Sequence, residues 1–281
     1  MDGLQADHDV SERRACRVVG QHRSVQRYEP RADDRDHELI ERMHEHAREN
    51  PRYGYRRITN LLRRDGYRVN RKKVQRLWRE AGLRVPTKQR KKRRLGNSAN
   101  ACHRHRAESL NHVWCYDFVS DQTEDGRTIK MLTLVDEYTR ECLAIEVARS
   151  LRGADVIRVL DRLFEERGAP GHIRSDNGPE FIANSVRSHL QHCQVGPLYI
   201  EPGAPWENGY SESFNGSFGD ELLKRELFIN LHEAKVVVED YRIKYNTKRP
   251  HSSLAYFTPV EFANKARQSG QVYRQQPPGL S

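Results

Sequence analysis

Three carboxylates stand at positions where an ordinary surface role is awkward. Asp117 lies inside the run HVWCYDFVS, between Tyr116 and Phe118, where an ionised side chain needs a partner or a metal. Asp176 ends GHIRSD and is followed at once by Asn177, Gly178 and Pro179. That sequence is ordinary turn chemistry, because Asn and Gly tolerate positive φ and Pro presets φ. It also sets an acid at the C-terminal end of a strand, where ligands of open α/β sheets gather. The third acid belongs to PWENGYSESFNGSF and is either Glu207 or Glu212. Glu207 at a helix start favours the macrodipole. Glu212, one turn inside, shares a face with Asn208 and Asn215. Periodicity leaves both open.

Converging carboxylates repel one another unless a cation lies between them. Hard divalent ions take carboxylate oxygens, and Mg²⁺ is held by a few carboxylates with water and substrate phosphates. Two such ions about 4 Å apart activate an attacking oxygen and stabilise the leaving one in phosphodiester displacement. Each acid alone would pass for a surface or capping group; the set of three points to a metal-dependent site.

The elements that must position these acids follow from periodicity. HVWCYDFVS, TIKMLTLVDEYT and RECLAIEVA read as three strands, with a hairpin turn at Glu124–Gly126. GADVIRVLDRLFEERG is an amphipathic helix with Val156, Val159, Leu160, Leu163 and Phe164 inward. GHIRSD is a fourth strand, EFIANSVRSHLQHC a helix, GPLYIEP a fifth strand, and a long helix starts near Glu207. The order predicts an α/β fold, a mixed five-stranded sheet flanked by helices.

The chain before this region is different in kind. Residues 1–110 carry 29 Lys and Arg against 15 Asp and Glu, whereas residues 111–281 carry 20 against 24. A cationic half attracts a polyanion, and nucleic acid is the common one in cells. Residues 1–35 are expected to be poorly ordered or partly helical. Residues 36–83 read as three short helices of a small all-α helix-turn-helix module. Leu39, Ile40, Met43 and Ala47 form the first stripe, and Tyr55, Ile58, Leu61 and Leu62 the second, with Gly66 as its stop. The third helix starts on Asn70 and buries Val74, Leu77 and Trp78. Its polar face offers Arg71, Lys72, Lys73 and Arg76 to phosphates. Residues 84–110 form a basic linker in which Lys91, Lys92, Arg93 and Arg94 suit a phosphate backbone. The five scattered cysteines fit a reduced compartment. No apolar run reaches membrane-spanning length, so a cytoplasmic, membrane-free protein is expected.

WCYDFVSD, LVDEYTRECLAIEV, IRSDNGPEF and PGAPWENGYSESFNGSFGDELL together resemble the retroviral-integrase-type catalytic core of DDE transposases, within the RNase H-like fold. Residues 36–83 resemble the helix-turn-helix module that precedes this core in bacterial insertion-sequence transposases of the two-reading-frame kind. YNTKRPHSSLAYFTPVEFA, at 245–263, resembles the segment that closes it. Thirty-five residues separate Asp176 from Glu212, the spacing of that class, and this selects Glu212 over Glu207. The resemblance implies a catalytic core over 111–262 and a C-terminal tail over 263–281. It implies that Asp117, Asp176 and Glu212 hold two Mg²⁺ ions, or Mn²⁺. The reaction implied exposes a 3′-OH at each element end and drives it into a new phosphodiester. The implied partners are the terminal repeats, target DNA and further copies of the chain. Residues 1–35 show no leucine zipper, so the chain resembles the downstream-frame product, with an upstream-frame product as a possible partner.

Other residues carry weaker signals. Asn208 and Asn215, one turn either side of Glu212, are expected to orient it or touch DNA, and Lys224 to grip phosphate. Trp206 suits a hydrophobic staple at the helix entry. Asp136 suits a turn with Tyr138 and Thr139. His251 and Ser252 lack a third group for hydrolase chemistry. Cys102, His103, His105, His112 and Cys115 lack the paired spacing of a zinc site. Two other functions remain open from sequence: a DNA-binding regulator with an inactive core, and a nuclease of the same fold that uses only water.

Overall fold

The computed structural model describes residues 10–27, 34–86, 106–175, 184–199 and 208–272. Asp176, Lys91, Lys92, Arg93, Arg94, Trp206 and Glu207 lie outside them. Two short helices, α1 (Glu12–Val19) and α2 (Arg23–Gln26), come first.

The module is built from α3 (Asp34–Glu49), α4 (Tyr55–Arg64) and α5 (Arg71–Glu80). Leu39, Met43, Ile58, Leu62, Val74, Leu77 and Trp78 close its core. Asn70 caps α5 by accepting from the Lys72 amide at 2.9 Å. After α4 the backbone reverses through Gly66 at φ +96°, a conformation that favours glycine.

The larger unit has strands β1 (Val113–Gln122), β2 (Thr128–Asp136), β3 (Cys142–Ala148), β4 (His172–Ser175) and β5 (Gly196–Tyr199). They form one sheet in the order β3-β2-β1-β4-β5. β1, β2 and β3 are antiparallel neighbours, while β4 runs parallel to β1 and β5 parallel to β4. This is the mixed five-stranded sheet expected from the sequence.

Helices cover both faces, which is why β2 is buried almost throughout instead of alternating. On one face Trp114, Tyr116, Leu132 and Leu134 meet α6 (Gly153–Arg167) and α7 (Asn184–His192). On the other, Cys115, Met131 and Val135 meet α8 (Gly209–Phe218) and α9 (Leu231–Thr247). Asp117 has the parity of Cys115 and so belongs to the α8 side.

Four expectations change. The second strand stops at Asp136 because that carboxylate turns the chain. It accepts from the amides of Asn111, Tyr138 and Thr139, the turn role expected of it. The single long helix after β5 is two helices. A π turn (Gly219–Leu223) continues α8, and the chain then buries Phe228 beside Thr123 before α9 begins. The boundary drawn at 262/263 falls inside α10 (Pro259–Gln268), whose Ala263 and Ala266 are buried with Leu110, and Val272 bridges to Leu110. At the other boundary, α3 starts at Asp34, two residues before the expected module edge. Among the described residues no helix is long and apolar enough to cross a membrane.

Candidate active site

Asp117 sits at mid-strand opposite Thr133 of β2 and is half-buried. Its Oδ1 accepts from the Phe118 amide at 2.8 Å and its Oδ2 from Asn215 Nδ2 at 2.9 Å. Thr133 Oγ1 lies 3.1 Å from both the Asp117 carbonyl and Asn215 Oδ1 and shares its one proton between them. Asn215 is therefore the residue that ties α8 to the strand carrying the first acid. Phe214 and Phe218, buried on the same helix, fix its rotation. Glu212, one turn before Asn215, is exposed in the first turn of α8.

The strand that leads to Asp176 is held by a buried ion pair. Arg174 Nε lies 2.7 Å from Glu137 Oε1, with side chains 5% and 0% exposed. In the parallel ladder Cys115 faces Arg174. Asp117 and Asp176 are each the second residue after that pair in sequence. Burial and the Glu137 charge push the Cys115 thiol well above its ordinary value.

The donors present suit a hard divalent cation. Asp117 offers a carboxylate fixed by two N–H donors, and Glu212 a solvent-facing one; both supply oxygen alone. Among the described residues no three potential ligands cluster, and Asp176 is not one of those residues.

The expected DNA-contact residues divide. Arg71 and Lys72 are exposed at the start of α5. Lys73 instead forms an ion pair with Asp36, and Arg76 pairs with Asp36 and Glu80. Lys224 pairs with Asp220 at 2.6 Å while remaining exposed. Asn208 is buried and accepts from Ser211 Oγ at 2.6 Å, so its side chain is used at the helix entry. Sequence reasoning missed a groove of about 760 Å³ whose lining includes Arg56, Asn60, Arg63, Arg68, Arg71 and Tyr256. The arginine-rich stretches YGYRR and LLRRDGYRVN were the signal for it. His251 is half-buried beside Arg249, with Tyr245 Oη 2.8 Å from its Nε2 and Ser253, not Ser252, 3.5 Å from its Nδ1.

A sheet in this order, with a carboxylate at the centre of β1 and another on the helix crossing it, defines an RNase H-like enzyme core. Residues 107–205 and 193–259 match models of the integrase core domain, and residues 32–92 match an HTH-like domain. The 31.7 kDa protein of insertion element IS407 from Burkholderia multivorans (strain ATCC 17616 / 249) is 40% identical, covering 95% of each chain. The transposase InsK of IS150 from Escherichia coli (strain K12) is 28% identical over 76% of this chain and 78% of its own. A chain of the simian T-cell lymphotropic virus intasome shares the fold at a TM-score of 0.51 and 15% identity, covering 82% of this chain and 77% of its own. The chain belongs to the insertion-sequence transposases with an integrase core, and it is an enzyme of that DNA-transferring class.

Proposed function

We propose that this transposase performs 3′-end cleavage and strand transfer, with Asp117, Asp176 and Glu212 as the acids that hold its divalent metal. Two Mg²⁺ ions, replaceable by Mn²⁺, suit three carboxylates. The observation that supports this best is the Asn215–Asp117 hydrogen bond, because it joins the helix of Glu212 to the strand of Asp117. Bound divalent ions would supply charge neutralisation at the phosphate and activation of the attacking hydroxyl.

The protein's own part is positioning. The Phe118 amide and the Asn215 amide each take one oxygen of Asp117, which sets the rotation of its carboxylate. Thr133 fixes which way the Asn215 amide faces, donating to its oxygen so that its nitrogen meets Asp117. The exposed Glu212 leaves room beside it for a DNA backbone. The nucleophile is water in cleavage and a DNA 3′-OH in transfer, so no side chain forms a bond to DNA.

The partner is DNA, read as terminal repeats at the element ends and as target. The groove of Arg56, Arg63, Arg68 and Arg71, together with Lys72 and, further along the sequence, Lys91, Lys92, Arg93 and Arg94, supplies the cationic charge. Synapsis of two ends requires self-association, and an upstream-frame product fits as a further partner. DNA binding would hold the protein at the bacterial nucleoid.

Purified protein, element-end DNA and Mg²⁺ test this reading. Joined donor–target products are expected from wild type and not from Asp117→Asn or Glu212→Gln. Equal products from all three would end the catalytic assignment. Cleavage without joining would leave a nuclease, and binding without any cleavage would leave a regulator.

A further inference from the structure

Beyond its acid, α8 is a weak helix. Gly209, Ser211, Ser213, Asn215, Gly216 and Ser217 are all poorer helix formers than alanine. Such a segment keeps its shape through tertiary contacts and not through propensity. Its C-terminal contact is unusual. Phe218 and Gly219 keep helical angles, so the π turn that follows is continuous with α8. Turns of this kind recur at functional sites.

Glu221 on that turn is gripped from two directions. Arg249 donates through Nε at 2.9 Å and Nη2 at 2.8 Å, and Arg57 of α4 donates through Nη1 at 3.1 Å. Arg249 Nη2 also donates to Ser217 Oγ at 3.0 Å, one turn back on α8. The side chains of Arg249, Glu221 and Arg57 are 3%, 12% and 27% exposed. Tyr245 lies 5.1 Å below the Arg249 guanidinium and Tyr53 lies 4.9 Å below that of Arg57. Arg52 Nε adds a bond to the Asp220 carbonyl at 3.2 Å. Burial and the Arg249 charge push the Arg57 guanidinium below its ordinary value, so the two cations oppose each other. The carboxylate between them offsets that repulsion.

We propose that Glu221 is a positioning residue: by bridging Arg57 of the N-terminal module and Arg249 of the core, it makes docking of the module hold the helix of Glu212 against β1. This rests on the reading of Glu212 as a metal-binding acid. The DNA-reading module thereby sets the order of the catalytic helix, and loss of its docking loosens Glu212 and Asn215 together.

The test uses the full chain with Arg57→Gln, a change on the module that leaves the core sequence intact, and Glu221→Gln as the second variant. Backbone amides of residues 211–218 should exchange with deuterium at least about fivefold faster in both, given one lost charged hydrogen bond. Amides of β1 and β2 should not change. The Mg²⁺ concentration for half-maximal strand transfer should rise severalfold, and Arg57→Lys should restore both measures. Unchanged exchange across 211–218 overturns the bridge. Faster exchange with an unchanged Mg²⁺ requirement overturns the positioning role. Glu212→Gln run alongside separates the two readings. If it transfers strands like wild type, the assignment of Glu212 fails, while the exchange data still report the bridge.

Discussion

Asn215 Nδ2 stands 2.9 Å from Asp117 Oδ2, and the two residues are 98 positions apart in the chain. Thr133 Oγ1 closes the triangle by touching Asn215 Oδ1 and the Asp117 carbonyl. Strand β1, strand β2 and helix α8 therefore meet at one carboxylate. An asparagine suits this place because it offers a donor to the acid and an acceptor to the threonine at once.

Asn215→Ala removes the donor to Asp117 and frees its carboxylate to rotate. A hydrogen bond to a charged group contributes about 1.5–3 kcal/mol, so strand transfer should slow by roughly tenfold or more. Asn215→Asp should be worse, because it sets a like charge against Asp117. Single-turnover rates across a Mg²⁺ titration check both. Wild-type rates in Asn215→Ala would remove the residue from any positioning role.

The cations of the module separate by partner. Arg68 and Arg71 are exposed and line the groove, whereas Lys73 and Arg76 are engaged by Asp36. Arg68→Gln with Arg71→Gln should weaken DNA binding on every sequence and lower the slope of log K against log salt by about 2. Lys73→Gln with Arg76→Gln should lower the thermal stability of the module and move that slope less. Binding isotherms at several salt concentrations give the slopes. Equal slope changes from the two pairs would show that the Asp36 pairing does not survive DNA binding.

The pair Arg174–Glu137 is buried in the β4 floor that leads to Asp176. Arg174→Met would leave the Glu137 carboxylate in the interior without its guanidinium, a loss of about 3–5 kcal/mol. Replacing both, as Arg174→Met with Glu137→Leu, should recover much of it. Urea melts of the three proteins compare them. A double variant no more stable than Arg174→Met would mean that the pair is coupled to further groups.

The sheet was legible because its signals are local. Apolar runs gave the strands, and Asp117 stood out as a charge within one of them. Asn70 was readable as a cap because capping needs only the two residues after it. The contacts that assign jobs to polar residues were hidden, since they join distant parts of the chain. Nothing in NRKKVQRLWRE shows that Asp36 will take Lys73 and Arg76. Asn208 and Asn215 look alike in WENGYSESFNG, yet one is sealed under Ser211 and the other reaches Asp117. The break after α8 escaped because burial of Phe228 beside Thr123 decides it. Glu221 and Arg57 lie 164 residues apart, and each reads as a solvated charge in its own helix.

His251 makes a pH prediction. Tyr245 Oη lies 2.8 Å from its Nε2, and the positive charges of Arg249, Arg57 and Arg140 surround the ring. Burial, reinforced by those charges, lowers its pKa from 6.5 to about 3. Burial also raises the Tyr245 phenol, which stays protonated beside the neutral imidazole. A depressed folded pKa means that the unfolded chain binds the proton first. The stabilisation is therefore complete above pH 6.5 and is lost as pH falls from there through about 3. Each unit in that window costs about 1.4 kcal/mol. His251→Gln keeps a hydrogen-bonding side chain that does not titrate. Carboxylates such as Asp65 and Glu261, whose pKa values are also lowered, add the same acid dependence to both proteins. The difference in unfolding free energy between wild type and variant cancels them and isolates His251. It should shrink steadily from pH 7 to 4 in denaturant melts. A difference independent of pH would mean that the imidazole takes up its proton in the folded state as readily as in the unfolded one.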